Sequence, residues 1–396
     1  MARPSVNALF VNSGLLGQRT FAQFVEEAIV RDSGAIDAVQ TVLTDGLTVP
    51  ERLVRRLLCA KLWPDGFAGV RNLDRARFRA ELNAGLLARR RIAHLERQRG
   101  RRFDVLHFHR QTTAYASLDR MHETPSIVSI DCTQEIVARK ARSRMEWRSY
   151  KPSIRRDGEI FAAAKLIIAV SRWAADCVRA EYPECMTEIM VMPNPVQLDL
   201  FAPAWVDERY QRAKTPGYKP NVLFVGGDFV RKGGDDLIGA WREGDFSDRA
   251  NLHIVSDWPI DRARLGPGIT QHTGITSYSP RWLEIWRIAD IFAQPTREEA
   301  FGLVFQEAAA AGLPAIGTNL NAVPELIADG ETGLLTARRS RETLIAALDR
   351  LLVSADERRT MGARGRLRIM ATADPRIYRE RLITALRRVS RKPCAA

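Results

Sequence analysis

The sequence predicts an α/β protein built from two doubly wound, Rossmann-like domains. The chain has 396 residues, which exceeds the roughly 250–300 residues at which a single hydrophobic core stops growing. Its short apolar segments are nearly continuous rather than alternating, as in the strands of a parallel sheet that is covered on both faces. Longer segments with helical spacing separate them, in the alternating order that parallel sheets require.

Two sets of strands are predicted on either side of a proline-rich stretch. The N-terminal strands begin at Val6, Asp104, Ser126, Leu166 and Ile189, and the C-terminal strands at Asn221, Leu252, Asp290 and Pro314. Helical spacing is found in residues 21–31, 172–181 and 302–311.

The stretch between the two sets, residues 193–221, has no clear periodicity and predicts an interdomain linker. We therefore expect an N-terminal domain of residues 1–195 and a C-terminal domain of residues 196–374. The last helical pattern, residues 375–396, follows no further strand, and we expect it to pack back on the N-terminal domain.

Composition and charge exclude some classes of protein but do not identify a single function. Hydrophobic residues make up 45% and charged residues 27%, as in an ordinary soluble globular chain. With 26 Gly and 19 Pro, the chain is neither collagen-like nor of low complexity. The formal net charge of +13 favours acidic partners, namely nucleic acid, anionic lipid headgroups or phosphorylated substrates.

Cysteine usage and the terminal segment indicate a compartment. The five cysteines are widely spaced and form no CxxC pair, which favours a reduced environment over a zinc or redox motif. The N-terminus lacks the apolar region of a signal peptide. The longest apolar stretches, such as residues 166–170, fall far below the roughly 20 residues of a spanning helix. We expect a cytoplasmic protein that is soluble or at most peripheral at the inner face of a membrane.

The most informative segment is residues 289–335, where a predicted strand, loop and helix follow one another. The strand ends at Gln294, and the helix is expected to start near Phe301 and to stop at Gly312, a natural C-cap. Free backbone N–H groups and the helix dipole make such a start an anion site. Gly302 would let a phosphate approach the backbone without a Cβ in the way.

Two glutamates flank that predicted anion site. Glu299 precedes the helix and Glu307 lies about five residues into it, roughly 7 Å further along the axis. Carboxylates accept hydrogen bonds from paired hydroxyls, so a nucleotide sugar, with a diphosphate between two hydroxylated groups, fits this layout. The alternative is a helix cap and a solvated helix position, and spacing alone does not decide between the two.

A second informative segment is residues 221–241, in which a strand ends in a pair of glycines that includes Gly227. The turn that follows carries Arg231 and Lys232, and another glycine pair opens a helix. Two cations in such a turn suit a diphosphate without a metal, although a solvated surface turn is the alternative. The sequence GGDFVRKGG fits neither the dinucleotide-binding nor the Walker pattern.

At these residues the chain resembles the family 4 retaining glycosyltransferases. The resemblance rests on the E-x7-E element from Glu299 to Glu307, on the surrounding PTREEAFGL, AAAAGLPAIGT and VPELIADGETGLL, and on VLFVGGDFVRKGG. VMPNPVQLDLF, AKLIIAVSRWAADCV and DVLHFH resemble further family pieces. The resemblance implies the GT-B fold, in which two Rossmann-like domains face each other across a cleft.

The resemblance also implies a role for each residue of the C-terminal site. Glu299 would contact hydroxyls of the transferred sugar, and Glu307 the ribose hydroxyls. Arg231 and Lys232 would hold the diphosphate and stabilise its charge as the glycosidic bond breaks. The helix start would share that task through the backbone of Ala300, Phe301, Gly302 and Leu303.

In the N-terminal domain the resemblance implies two further elements. Gly14 and Gly17 would face the diphosphate, with a plain turn as the alternative. His109, nearer than His107 to the carboxyl end of its strand, would be the active-site histidine close to the sugar and the attacking hydroxyl. A single histidine on a strand is more often structural, so only the resemblance supports this role.

Four positions depart from the family pattern and put individual donor contacts in question. Gly227 stands where the family often has Arg, Asn321 and Ala322 replace the usual Gly-Gly, and Gln197 replaces the usual Asp after PNP.

The resemblance implies a retaining, metal-independent glycosyltransferase of polysaccharide, lipopolysaccharide or glycolipid assembly. The donor, a UDP- or GDP-sugar, would bind the C-terminal domain, and a carbohydrate or lipid-linked acceptor the N-terminal one. No cofactor is expected, and Asp235 and Asp236 fit the first turn of a helix better than a metal site. The alternatives are a nucleotide-sugar epimerase or other non-transferase enzyme on this fold, and a non-catalytic basic protein that binds membrane surfaces.

Two basic segments of the N-terminal half combine arginines with leucines, residues 51–63 and the segment that begins at Ala88. Amphipathic helices packed on a sheet with the arginines outward are the favoured interpretation. An interfacial helix on anionic lipid is the alternative. The basic runs lack interleaved stacking aromatics, so we expect no nucleic-acid partner.

Overall fold

The computed structural model describes residues 6–14, 18–31, 34, 36–60, 75–141 and 143–390. It divides the chain into two compact units. Unit 1 combines Met1–Asn194 with Arg376–Ala396, and unit 2 is Pro195–Pro375. Within the described residues, each helix is too short or too polar to cross a membrane.

Unit 1 is built on a parallel sheet of six strands in the order β2-β1-β3-β4-β5-β6. The strands are β1 (Asn7–Asn12), β2 (Asp37–Val42), β3 (Val105–His109), β4 (Ser126–Ile130), β5 (Leu166–Ala169) and β6 (Ile189–Val191). The register pairs Asn12 with His109 and His109 with Ser129. The ends of these three strands therefore lie side by side at the carboxyl edge of the sheet.

The helices of unit 1 that precede the linker are α1 (Gln18–Val25), α2 (Val49–Cys59), α3 (Ala76–Arg99), α4 (Leu118–Glu123), α5 (Gln134–Ala138), α6 (Arg144–Ser149), α7 (Lys151–Ala163) and α8 (Arg172–Glu181). A π-helical segment, Glu26–Val30, continues α1.

Unit 2 repeats the architecture with the strand order β12-β11-β10-β7-β8-β9. Its strands are β7 (Asn221–Val225), β8 (Asn251–Val255), β9 (Ile269–His272), β10 (Ile291–Gln294), β11 (Ala315–Thr318) and β12 (Gly333–Thr336). Its helices are α9 (Trp205–Ala213), α10 (Gly234–Glu243), α11 (Pro280–Ile288), α12 (Leu303–Ala310), α13 (Val323–Leu326), α14 (Arg341–Val353) and α15 (Ala355–Ala373). The strands β7 and β10 are neighbours, paired in parallel through Phe292 and Leu223.

The last helix, α16 (Pro375–Ser390), belongs to unit 1. Tyr378, Leu382 and Leu386 are buried on it and form part of a core with the aromatic side chains of α1. The ring centroids of Phe24 and Tyr378 lie 5.4 Å apart, edge to face. The C-terminal helix thus covers one face of the N-terminal sheet, packed against α1.

All nine strands predicted from the sequence are present, together with β2, β9 and β12, which the sequence analysis did not predict. These three lie at sheet edges. Only one residue of β2, Thr41, is buried, and β9 has none. β2 and β9 therefore lack the continuous apolar run of a buried strand, which was the signal used to find the others, whereas β12 is largely buried and has only four residues.

Candidate functional site

The two loops that follow β7 and β10 meet at the carboxyl edge of the unit 2 sheet. Lys232 comes from the first loop and Glu299 from the second, and the Lys232 ammonium forms an ion pair with the Glu299 carboxylate. The two side chains are only 15% and 10% exposed. The fold therefore brings together two predicted site residues that lie 67 positions apart in the chain.

The glycines after β7 allow these loops to approach each other. Gly233 has φ 81°, and a Cβ built on it would lie 1.9 Å from the carbonyl oxygen of Pro295. A Cβ on Gly234 would lie 2.1 Å from the ring of Phe229. Gly227 differs, because nothing lies within 4 Å of its Cβ position and its φ is not left-handed. Gly233 and Gly234 are thus required by packing, whereas Gly227 borders open space.

Arg231 ties the two loops together. Its Nη1 donates to the carbonyl oxygen of Glu298 at 2.9 Å, and its own carbonyl accepts from the backbone N–H of Arg297 at 2.9 Å. Its Nε donates to the Asp228 carboxylate at 2.9 Å. The guanidinium remains 38% exposed. Arg231 therefore lies in the same turn as Lys232 and fixes the position of the loop that follows β10.

The start of the helix after β10 differs from the prediction. Helix α12 begins at Leu303 rather than near Phe301, and Gly302 is its N-cap residue with φ 98°. A Cβ on Gly302 would lie 2.8 Å from the Phe305 ring and 3.2 Å from Cγ of Glu299. The left-handed backbone and these side chains therefore require glycine here. Ala300 and Phe301 precede the helix, and the Phe301 side chain is buried.

Glu307 lies on the first turns of α12, with a partner that the sequence analysis did not identify. The Tyr278 hydroxyl donates to Oε1 of Glu307 at 2.6 Å. Burial raises the pKa of the Glu307 carboxyl to about 7, against the lowering effects of the Tyr278 bond and the Lys232 charge. Lys232 therefore acts on both glutamates of the E-x7-E element, by contact on one and through its charge on the other.

Asn321 explains one departure from the family pattern. It has φ 49°, in the left-handed region that Asn tolerates better than most residues other than glycine. Its side-chain Nδ2 donates to the carbonyl oxygen of Glu299 at 2.7 Å. Asn321 thus keeps a conformation typical of glycine and adds a hydrogen bond that fixes the backbone at Glu299.

The acidic pair after the glycine loop lies where the sequence predicts it, in the first turn of α10. Asp236 forms a two-pronged ion pair with Arg297, both contacts at 2.7 Å, and Asp235 pairs with Arg264 at 2.5 Å. Among the described residues, no three His, Cys, Asp or Glu side chains are grouped closely enough to hold a metal ion.

In unit 1, His109 ends β3 and is buried. Its ring stacks on Phe21, with centroids 3.7 Å apart and planes 7° apart. Burial lowers the pKa of His109 well below its usual value, and the charges of His107 and Arg110 act in the same direction. His107 shares the same side of the sheet and contacts the Ser129 hydroxyl through Nε2 at 2.7 Å. Both rings therefore lie under α1 as neutral side chains.

Gly14 follows β1 with φ 75°, and a Cβ there would lie 2.0 Å from Oγ1 of Thr44 and 2.7 Å from Cγ1 of Val42. Its carbonyl oxygen accepts from Nε of Arg19 at 3.0 Å. Close packing against the end of β2 therefore accounts for this glycine. Gly17, predicted with it, lies outside the described residues.

A polar pair that the sequence analysis missed lies at the same edge of the unit 1 sheet. Arg110 directly follows His109 and has φ 98° and ψ 130°, a conformation unusual for any residue but glycine. Asp131 follows β4. Arg110 Nε and Asp131 Oδ1 are both buried and lack a hydrogen-bond partner in the described part of the chain. Burial lowers the pKa of the Arg110 guanidinium. Several nearby charges, of which the Asp131 carboxylate is the strongest, more than offset this effect, so the pKa lies above its usual value.

Solved structures built from two parallel α/β units match this chain over almost its whole length. Sucrose-phosphate synthase from Thermosynechococcus elongatus matches 97% of this chain and 99% of its own, with a TM-score of 0.72 and 17% identity. Anabaena HepE, solved in complex with UDP-glucose, matches 96% and 99%, with a TM-score of 0.66 and 13% identity. The chain therefore has the GT-B fold.

Two family models match the sequence. "Glycosyltransferase Family 4" matches residues 42–200 and "Glycosyl transferases group 1" matches residues 207–368. The chain belongs to glycosyltransferase family 4. A D-inositol 3-phosphate glycosyltransferase from Arthrobacter sp. (strain FB24) is 28% identical over 266 residues, which cover 62% of this chain and 62% of that protein. The chain thus spans less than two thirds of this curated relative.

Proposed function

We propose that this protein is a retaining glycosyltransferase that moves a sugar from a nucleotide-diphosphate donor to an acceptor hydroxyl. The observation that carries the proposal is the Lys232–Glu299 ion pair beside Glu307, at the carboxyl ends of the adjacent strands β7 and β10. Ligands of open α/β sheets bind at this edge. The donor would be a UDP- or GDP-sugar, and the UDP-glucose complex of HepE supports the uridine nucleotide.

Each contact in the donor complex follows from charge and hydrogen-bonding capacity. The Lys232 ammonium would exchange its carboxylate partner for the diphosphate, with Arg231 and the backbone of Ala300, Phe301, Gly302 and Leu303 as further donors. Glu299, released from Lys232, would then accept hydrogen bonds from the sugar hydroxyls. Glu307 would accept them from the ribose.

The chemistry that we propose is front-face displacement without a protein nucleophile. The bond between the sugar C1 and the leaving phosphate oxygen breaks, the acceptor oxygen bonds C1 on the same face, and the leaving phosphate takes the acceptor proton. The negative charge that develops on the phosphate is stabilised by Lys232 and Arg231, whose positions the glycine loop fixes before reaction. Neither a metal ion nor a resident cofactor takes part in this scheme.

The acceptor would bind at the carboxyl edge of the unit 1 sheet, near His109, Arg110 and Asp131. Arg110 Nε and Asp131 Oδ1 lack a hydrogen-bond partner in the described part of the chain, so a movement of these buried side chains toward the edge would provide a donor and an acceptor for a hydroxylated group. The acceptor class is a carbohydrate or a lipid-linked carbohydrate. The relative's name, a glycosyltransferase of D-inositol 3-phosphate, supports a polyhydroxylated acceptor.

The test is a thermal-unfolding panel of UDP, GDP, ADP, CDP and their sugars on wild type, Lys232→Ala and Lys219→Ala. Lys219 precedes β7, so it lies at the opposite end of the strand that Lys232 follows and serves as the matched control. A ligand at 100 times its Kd adds about 2.7 kcal/mol to the free energy of unfolding. We expect one nucleotide to stabilise wild type and Lys219→Ala but not Lys232→Ala.

Product analysis then separates transfer from the alternatives. Release of nucleoside diphosphate that depends on an added acceptor, with the donor's anomeric configuration kept in the product, supports retaining transfer. A changed sugar without an acceptor would indicate an epimerase. If no nucleotide raises the unfolding temperature while anionic vesicles still bind, the enzyme proposal fails and a non-catalytic surface-binding protein is favoured.

A further inference from the structure

Helix α2 exposes large apolar side chains to solvent. Val49, Leu53 and Leu57 are 69%, 58% and 64% exposed. They are spaced four residues apart, so they form one stripe along the helix. The expectation of a helix that packs its leucines inward is therefore wrong for Leu53 and Leu57, although Leu58 is partly buried.

The opposite side of α2 packs against α3, which fixes the orientation of the stripe. Glu51, Val54 and Leu58 are partly buried on that side. The Glu51 carboxylate lies 3.5 Å from the Arg91 guanidinium, and Arg79 donates to the carbonyl oxygen of Ala60 at 2.7 Å. Because both ends of α2 are tied to α3, the leucines cannot turn inward without breaking these contacts.

Positive charge accompanies the stripe. Arg52 and Arg56 are exposed and lie along its flank, and Arg55 is exposed further around the helix. The one carboxylate of α2, Glu51, is on the packed side, where it also accepts from the backbone N–H of Thr48 at 2.9 Å. The solvent side of α2 therefore combines aliphatic and cationic groups with no acidic residue of the helix.

We propose that the lipid-facing stripe, defined as Val49, Leu53 and Leu57 with Arg52 and Arg56, binds the surface of an anionic lipid bilayer. The leucines would enter the boundary between headgroups and acyl chains, and the arginines would pair with headgroup phosphates. Charge complementarity favours this occupant over a second copy of the chain. A symmetric contact would bring both sets of arginines together, and like charges at an interface are costly.

The inference goes beyond the proposed transfer reaction and does not depend on it, because vesicle binding requires neither donor nor acceptor. It places unit 1 at a membrane surface, with α2 parallel to the bilayer as interfacial helices lie. An enzyme so placed meets lipid-linked acceptors at the surface where they are embedded.

The experiment is cosedimentation of the full chain with vesicles of phosphatidylglycerol and phosphatidylcholine in equal parts, and with phosphatidylcholine alone. We expect binding to the anionic vesicles only, weakened by salt. The double variant L53D/L57D should lower the bound fraction about tenfold, since two charges oppose insertion. The matched control is V353D, because Val353 is 79% exposed on α14 of unit 2 and should leave binding unchanged.

The substituted side chains are exposed, so the variants should unfold at the wild-type temperature, which a thermal melt verifies. The proposal is overturned if wild type stays in the supernatant with anionic vesicles, or if L53D/L57D binds them as wild type does. It is also overturned if light scattering shows a wild-type dimer that L53D/L57D converts to a monomer while neither form binds vesicles. That result would show that a second copy of the chain, rather than a bilayer, binds the stripe.

Discussion

The Lys232 ammonium and the Glu299 carboxylate form an ion pair that joins the loops after two neighbouring strands of unit 2. Both side chains are largely shielded from water, and Glu307 lies within the field of the same lysine. The Lys232 ammonium is thus neutralised by a residue that we propose to bind sugar. A diphosphate bound as we propose would have to displace this carboxylate before the lysine could hold it.

Removing the carboxylate should separate nucleotide binding from turnover. In Glu299→Gln the Lys232 ammonium has no charged partner, so we expect nucleoside diphosphate to bind several-fold more tightly, while kcat falls by about two orders of magnitude. Titration calorimetry with the diphosphate and a turnover assay with the nucleotide sugar measure the two effects. Glu298→Gln, one residue earlier, is the control. Weaker diphosphate binding in Glu299→Gln would contradict the competition.

The raised pKa of Glu307 should make the proposed donor binding depend on pH. A carboxylate must be ionised to accept both ribose hydrogen bonds, and burial raises the pKa of Glu307 to about 7. Wild-type affinity for a nucleotide sugar should therefore fall about tenfold from pH 8 to pH 6. The nucleotide sugar is the ligand of choice because its diphosphate diester does not titrate in this range. Glu307→Gln should bind with no such slope; an equal slope in the variant would show that another group titrates.

Two glycines of one loop should respond differently to the same substitution. Gly233→Ala places a Cβ against the Pro295 carbonyl in a left-handed conformation, so it should lower the free energy of unfolding by more than about 2 kcal/mol. Gly227→Ala meets open space and should change it by less than about 0.5 kcal/mol. Urea denaturation of both variants measures the difference. Equal destabilisation would mean that loop packing does not set the requirement at Gly233.

Arg110 stores strain that glycine would relieve. Its φ of 98° and ψ of 130° are costly for a residue with a Cβ, so Arg110→Gly should have a free energy of unfolding about 1 kcal/mol higher than Arg110→Ala, which removes the guanidinium equally but keeps the Cβ. Arg110→Gly should lose acceptor-dependent turnover and keep nucleotide binding, since the strained residue lies in unit 1. Arg339→Gly is the control, because φ 57° at Arg339 is in the ordinary left-handed well. Equal stability of Arg110→Gly and Arg110→Ala would refute the strain argument.

Asp157 gives unit 1 a pH-dependent stability. It is fully buried and accepts hydrogen bonds from the Tyr115 hydroxyl at 2.7 Å and the Gln134 backbone at 2.8 Å. Burial raises its pKa from 3.8 to about 7, although these bonds lower it. Between these two values the folded state binds a proton that the unfolded state has released, so the free energy of unfolding falls as pH rises through this window.

In Asp157→Asn the free energy of unfolding should no longer fall between pH 3.8 and about 7 through this residue. Urea denaturation at several pH values in that range measures the effect. The raised pKa of Glu307 also makes the free energy of unfolding fall as pH rises. Glu307→Gln is therefore the matched variant, because it removes the Glu307 contribution and keeps that of Asp157. If the slope in Asp157→Asn equals that of wild type, Asp157 is ionised in the folded protein.

Periodicity along the chain predicted nine of the twelve strands of the described residues, and the resemblance to family 4 singled out the charged residues of the candidate site. Lys232, Glu299 and Glu307 each stand at a fixed distance from a strand end or helix start, and periodicity locates these ends. Tyr278 and Asn321 could not be found in this way. They reach Glu307 and the Glu299 backbone from loops distant in sequence, so their contacts exist only once the sheet is assembled.

Backbone conformation was the second feature that could not be predicted from the sequence. The start of α12 was placed two residues early because the glycine at the N-cap has a left-handed φ, which the spacing of apolar residues does not reveal. Arg110 was missed for the same reason, since nothing in its neighbours specifies φ 98°. Strands β2 and β9 are a third case, because exposure at a sheet edge removes the apolar signal.

The return of α16 to unit 1 imposes an order on biosynthesis. Unit 2 is one uninterrupted stretch, whereas the aromatic core of unit 1 that holds Phe21 and Phe24 is completed by Tyr378, which is translated after the whole of unit 2. A growing chain on the ribosome can finish its second unit while the first still exposes an apolar face of its sheet. The N-terminal half therefore keeps part of its apolar surface unburied until the last helix has been synthesised.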